Sequence, residues 1–190
     1  ESKPIFDARL RYEDVDQTPM VEEADAETLR VRLGFETGKA WNTNLLAEGE
    51  VVTHLSAHYR DDTARAGNVA YPVVPDPESE EINRLQAVNT TLPGTTVTLG
   101  GQRILLDDQR FVGNVGWRQN EQTFDAVRVV NKPLTALTLD VTYMNQVNRI
   151  FGRESPQGRY HGDGVLANAA YNFSFGKLTG FGYWLDFDPI

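Results

Sequence analysis

Apolar and charged residues alternate along this chain with a period of two, and the charged positions are rich in arginine. Phe6, Ala8, Leu10 and Tyr12 alternate with Asp7, Arg9, Arg11 and Glu13. Leu29, Val31, Leu33 and Phe35 alternate with Arg30, Arg32, Gly34 and Glu36. Successive side chains of a strand point to opposite sides, so each segment is a strand with one apolar and one polar face. The pattern returns in Leu137, Leu139, Val141 and Tyr143, and again in Val165, Ala167, Ala169, Tyr171, Phe173 and Phe175. A last stretch sets Thr179, Phe181, Tyr183, Leu185 and Phe187 against Gly180, Gly182, Trp184 and Asp186. Residues 43–57, 81–89, 95–103 and 122–131 are weaker strands with polar substitutions on both faces. The expectation is an all-β, antiparallel chain of about nine strands, most of them about 9–12 residues long.

Such alternation fits a soluble sandwich or a barrel in lipid. Two features favour lipid. Arg9, Arg11, Arg30 and Arg32 lie at similar depth on neighbouring strands, and a row of guanidinium groups is expensive in a dry core, so that face must be wet. The apolar faces carry aromatics near strand ends, at Tyr12, Phe35, Tyr143, Tyr171 and Phe173, where membrane barrels place their interfacial girdles. Hydrophobic residues make up 40% of the 190, below the roughly 45–50% of a soluble domain. A barrel tolerates this, because only one face of each strand meets lipid. The soluble alternative, a barrel or sandwich binding a glycan or small apolar ligand, requires Leu29, Val31, Leu33 and Phe35 to point inward onto a core.

The connections alternate between long and short. Residues 14–25 are acidic and contain Pro19, residues 58–80 hold Pro72, Pro75 and Pro77, and residues 148–163 hold Gly152, Pro156, Gly158 and Gly162. Asn131–Lys132–Pro133 and Gly176–Lys177 are predicted tight turns. The net charge of -9 argues against a nucleic-acid partner. Cysteine is absent, which excludes disulfides and thiolate metal sites.

Residues 99–125, from Leu99-Gly-Gly-Gln-Arg103 through Asp107-Asp-Gln-Arg110 to Gln122-Thr-Phe-Asp125, resemble the signature of the alginate-export family of bacterial outer-membrane proteins. The stretches at 29–38, 71–78 and 147–152 fit the same family, so the resemblance covers nearly the whole chain. It implies a transmembrane antiparallel β-barrel in the outer membrane, in contact with lipid. Its polar lumen would pass an anionic polysaccharide such as alginate, or small anionic solutes. Family barrels are about twice this length, their strand number is even, and this chain ends in Asp188–Pro189–Ile190 rather than an aromatic. The expectation is therefore a single barrel domain over 1–190, truncated at its C-terminal end, its signal peptide removed or never part of this segment. Oligomeric state stays open.

The segment 102–122 is the expected constriction. Arg103, Asp107, Asp108, Arg110, Asn114, Trp117, Arg118 and Glu121 crowd into it, and charged rings set the selectivity of pores. The arginine fork matches a carboxylate bidentately. The structural alternative pairs Asp107 and Asp108 with Arg103, Arg110 and Arg118. Arg9, Arg11, Arg30 and Arg32 form the second candidate, either a positive lumen wall or cross-strand partners of Asp7, Glu13 and Glu36. An enzyme is not expected. Asp107 and Asp108 are neighbours and point apart on a strand. His54 and His58 have a helical metal spacing in a region that reads as strand or loop. Asp61–Asp62 is expected to be solvated, with calcium as the alternative. No cofactor and no metal are expected.

Overall fold

A computed structural model describes residues 1–189 except 57, 65 and 66. It contains nine strands: β1 (Lys3–Val15), β2 (Ala24–Glu36), β3 (Thr43–His54), β4 (Ser79–Asn89), β5 (Thr95–Gln102), β6 (Thr123–Leu134), β7 (Leu137–Asn148), β8 (Arg159–Phe173) and β9 (Gly176–Phe187). They form one sheet in sequence order, with β1 and β9 at its two ends, and every neighbouring pair is antiparallel. The sheet does not close on itself. Ala57, the end of the expected third-strand region, and Ile190 lie outside the described residues.

The two faces of the sheet are inverted relative to a soluble protein. On β2, Leu33 is 61% exposed and its neighbour Arg32 is 7% exposed. Phe6, Leu10, Phe35, Val51, Ile82, Leu99, Val141 and Val165 are likewise exposed. Thr28, Arg30, Asn44, Glu48, Glu50, Asp140 and Thr142 are buried. Fully exposing a large apolar side chain to water forfeits roughly 1.5–3 kcal/mol. A continuous apolar wall of this extent is stable against hydrocarbon, not against solvent. Leu29, Val31, Leu33 and Phe35 share the outward face, the reverse of what a soluble core requires.

The ends of the sheet differ. The connections after β1, β3, β5 and β7 span residues 16–23, 55–78, 103–122 and 149–158, and those after β2, β4, β6 and β8 span 37–42, 90–94, 135–136 and 174–175. Long connections thus gather at one end and short ones at the other. Outward aromatics mark both ends, with Tyr12, Tyr143 and Trp184 toward the long connections and Phe35, Tyr171 and Phe173 toward the short ones.

Three sequence expectations are corrected. Asn131–Lys132–Pro133 is not the turn: β6 runs to Leu134 and the chain reverses at Thr135–Ala136. Pro133, which has no N–H to give, sits in the irregular register between Asn131 and Leu134. The last hairpin turns at Ser174–Phe175, and Gly176 already pairs with Phe173. The third correction concerns β9. Thr179, Phe181, Tyr183, Leu185 and Phe187 were expected to face lipid, but they face inward. Tyr183 lies opposite the buried Leu166, and Tyr183 and Phe187 pack against the inner apolar cluster. That cluster consists of Phe124, Ala126, Met144, Val147 and Leu166 from the sheet and Ile104, Leu106 and Val112 from the β5–β6 connection.

Backbone geometry makes β5 sensitive at one point. Gly100 has φ +107, and a Cβ there would collide with the Leu85 carbonyl oxygen of β4. Gly100→Ala is expected to destabilise the sheet by about 1–3 kcal/mol, read as a lowered urea midpoint in detergent.

Candidate functional site

The polar face of β1–β4 begins as an electrostatic problem. Arg9 lies directly opposite Arg30, and Asp7 opposite Arg32. Like charges in direct register destabilise a sheet, so these cations need partners from elsewhere. Arg30 binds Asp7 diagonally, and Arg32 binds Glu50 of β3. Arg84 of β4 grips Glu48 at 2.9 and 2.6 Å. A β-bulge brings Asn83 to the same carboxylate, at 2.8 Å. Adjacent residues of a regular strand could not both reach it.

The β5–β6 connection covers this row. Its root is apolar, through Ile104, Leu106 and Val112 on β6–β8. Its tip is polar and reaches across to β1 and β2. Gln119 is fully buried and donates through Nε2 to the Thr28 carbonyl at 2.9 Å and hydroxyl at 2.8 Å. Arg9 donates to Gln119 Oε1 at 2.9 Å, to the Gly116 carbonyl at 3.1 Å and to the Arg118 carbonyl. Arg9 makes no ion pair within 4.0 Å among the described residues; carbonyl and amide oxygens take its hydrogen bonds, and the Asp76 charge acts on it from farther away.

Glu121 is the acidic centre. It accepts from Arg103 Nε at 2.6 Å, Asn83 at 2.7 Å and Asn114 at 2.7 Å, and Arg32 lies 3.4 Å away. Burial opposes ionisation of Glu121, but the Arg103 hydrogen bond and the charges of Arg32 and Arg103 outweigh it and hold the carboxyl below its ordinary range. Around this centre lies an open hollow of about 410 Å³, lined by five arginines (Arg9, Arg30, Arg32, Arg84 and Arg103) against three carboxylates (Asp7, Glu48 and Glu121).

Asp76, 1% exposed on the β3–β4 connection, pins the tip. It accepts the Gln119 N–H at 2.7 Å and lies 3.5 Å from both Arg118 and Arg11. Its own carbonyl accepts from Tyr59 Oη at 3.1 Å and contacts His54 Nε2 at 3.1 Å. Arg11 and Arg118 share Glu13. Their guanidinium carbons sit 4.7 and 3.8 Å from the centre of the Trp117 ring, in cation–π range.

Of the expected residues, Arg9, Arg11, Arg30, Arg32, Arg103, Asn114, Trp117, Arg118 and Glu121 are brought together. Asp107, Asp108 and Arg110 are not. Asp107 reaches Lys177 at 3.0 Å and Asn168 at 2.8 Å on the far strands, and Asp108 and Arg110 form an exposed pair at 3.9 Å. The expected pairing of Asp107 and Asp108 with Arg103 and Arg118 is therefore replaced, because Glu121, Glu48, Glu13 and Asp76 lie closer. Glu36 accepts from Asn44 at 2.6 Å instead of from an arginine. Asp62 is buried, not solvated, and accepts from Ser155 and from Gln157 at 2.9 Å, tying two long connections together. Among the described residues no group of three His, Cys, Asp or Glu could hold a metal. Sequence reasoning missed Asp76, Asn83, Arg84, Glu48 and Glu50. Only the last two had a signal, since positions 48 and 50 share a strand face.

No protein family matches the sequence, and no curated protein matches it. Solved structures do resemble the fold. Acinetobacter baumannii OccAB3 superposes with a TM-score of 0.71 at 16% identity, over 98% of this chain and 50% of that one. The outer membrane protein opdK from Pseudomonas aeruginosa gives 0.67 at 16% identity, over 98% and 48%. OpdK with vanillate gives 0.59 at 18% identity, over 86% and 44%. This chain thus spans about half the length of these relatives in structure, and its open nine-stranded sheet has the fold of part of an outer-membrane porin barrel.

Proposed function

We propose that this chain forms part of the wall and constriction of a passive outer-membrane channel for small anionic solutes, with no covalent chemistry. The observation that carries this reading is the inverted sheet. Its exposed face is apolar, and four arginines of its inner face together with Arg103 of the β5–β6 connection line one hollow with Asp7, Glu48 and Glu121, while Glu50 pairs Arg32 behind them. Cations in excess favour an anion, and several guanidinium groups in succession let it be handed on rather than trapped. Arg9 is the strongest single contributor, since none of its hydrogen-bond partners is a carboxylate. The long connections face outside and the short ones the periplasm, the usual barrel orientation. The fold shared with outer-membrane proteins supports this placement, and one such relative is solved with vanillate, a carboxylate. A finer reading, passage of an anionic polysaccharide such as alginate, rests on the resemblance of residues 99–125.

The test is single-channel recording of the full-length protein in a planar bilayer, with acetate and with a uronate oligomer. Anion-selective steps are expected, and Arg9→Ala should weaken acetate block about ten-fold, since a charged hydrogen bond contributes roughly 1.5–3 kcal/mol. Block by the oligomer would support the polysaccharide. Cation selectivity, or no conductance, overturns the channel reading.

A further inference from the structure

The two ends of the sheet differ in charge as well as in length of connection. The chain has four lysines, Lys3, Lys39, Lys132 and Lys177, and all of them lie at the end of the short connections. The short connections contain no aspartate or glutamate, and the long ones contain no lysine. Lys3 lies opposite Glu36, and Lys177 turns inward to Asp107 at 3.0 Å. Lys39 and Lys132 are exposed, and Lys39 donates to the Thr90 hydroxyl at 3.1 Å. Backbone bonds join these turns into one rim: the N–H groups of Thr90, Lys132 and Asn172 donate to the carbonyls of Asn42, Gly94 and Ala136 at 2.9, 2.8 and 2.9 Å.

Three of the turns also hold an uncovered apolar side chain. Trp41 is 93% exposed, Phe175 is 87% exposed, and Leu92 is exposed as well. Phe175 extends the outward column of Tyr171 and Phe173, with successive ring centres 4.7 and 5.4 Å apart. Trp41 has φ +48 beside Asn42 at φ +55. Asparagine and glycine suit this left-handed pair, whereas a bulky side chain is strained in it. Such strain, on a side chain with nothing over it, points to a partner outside the chain.

We infer that the rim of short connections is a collar for net-anionic glycerophospholipid, with Trp41, Leu92 and Phe175 at headgroup depth and Lys39 and Lys132 on the lipid phosphates. The inference rests on the sheet lying in a bilayer and is independent of the solute. Aromatic side chains settle at the membrane–water interface, where an apolar body meets partial hydration. A lysine stem lies along lipid while its ammonium stays at the headgroups. Each such cation strengthens attachment to an anionic leaflet, and no carboxylate of the short connections opposes it. A soluble partner would account for the lysines, but not for an aromatic column that runs unbroken from the outward wall into the turn.

The experiment is fluorescence quenching of the full-length protein in phosphatidylcholine vesicles that carry either brominated phosphatidylcholine or brominated phosphatidylglycerol at equal fraction. The emission of Trp41 is read by difference from Trp41→Phe, and that of Trp184, outward at the opposite end, by difference from Trp184→Phe. Brominated phosphatidylglycerol is expected to compete for the Trp41 site roughly five-fold better for each lysine engaged, the gain of one basic group at an anionic surface. Lys39→Gln/Lys132→Gln should abolish the preference, and Lys177→Gln should leave it intact. Trp184 should be quenched by both lipids without preference. Equal quenching of Trp41 by the two lipids, the same preference at Trp184, or a preference that survives in the double variant overturns the collar. Quenching of Trp184 without Trp41 places the turn in water, so the collar falls while the bilayer reading stands. Absence of quenching at both tryptophans overturns the bilayer reading and the collar with it.

Discussion

Asp76→Ala is expected to release the β5–β6 connection from the arginine row and to destabilise the protein by about 3 kcal/mol. Removing one partner of a buried ion pair typically costs about 3–5 kcal/mol, because the remaining charge is left in a poorly solvated place. The lower end applies here, since Glu13 still serves Arg11 and Arg118. The local effect is larger than the global one. Gln119 loses the acceptor of its N–H, and its side chain ties the connection to Thr28 and Arg9. Hydrogen exchange at the Gln119 amide should therefore accelerate toward that of an exposed loop, with a noisier open channel. Asp76→Asn keeps an oxygen for the N–H and loses only the charge, so its exchange should stay slow while the urea midpoint falls. Unchanged Gln119 protection in the alanine variant would show that the connection is held by its apolar root alone.

Val141→Arg distinguishes lipid from water more sharply than any deletion. Val141 is outward at the middle of β7, between Val129 and Ala167. In a bilayer an arginine at mid-depth on the outer face costs about 2–4 kcal/mol. In water the same exposed substitution changes stability by about 0.5 kcal/mol or less. Urea unfolding in lipid vesicles, with Val141→Leu as the control, is expected to show the full loss for arginine and almost none for leucine. A neutral arginine variant would mean that this face meets solvent.

Much of the fold was legible because strand alternation is local. Where one face carries arginine and the other carries leucine or phenylalanine, as on β1 and β2, the sequence assigns both direction and neighbours. β9 defeated the same rule. Its aromatic face was expected to meet lipid, but the β5–β6 connection, some 70 residues earlier, supplies inner contacts such as Phe111–Phe181. That leaves Gly180, Gly182 and Trp184 outside. Asp76 was invisible for a related reason. It sits in a proline-rich connection without periodicity, and its burial follows from Arg11, Arg118 and Gln119 arriving from distant segments. Glu48 and Glu50 were readable in principle, but Ala47 and Gly49 opposite them are too small to announce an apolar face.

The odd strand count has a consequence of parity. With nine strands, each reversed relative to the last, β1 and β9 run in the same direction. Any antiparallel closure of the two free edges must therefore insert an odd number of further strands. Two identical copies of this sheet placed side by side in the same orientation would meet with parallel seams. To meet antiparallel, one copy would have to be inverted, with its long connections on the opposite side of the bilayer. Parallel pairing is slightly less stable per residue than antiparallel pairing, so such a seam between copies is the weaker of the two arrangements.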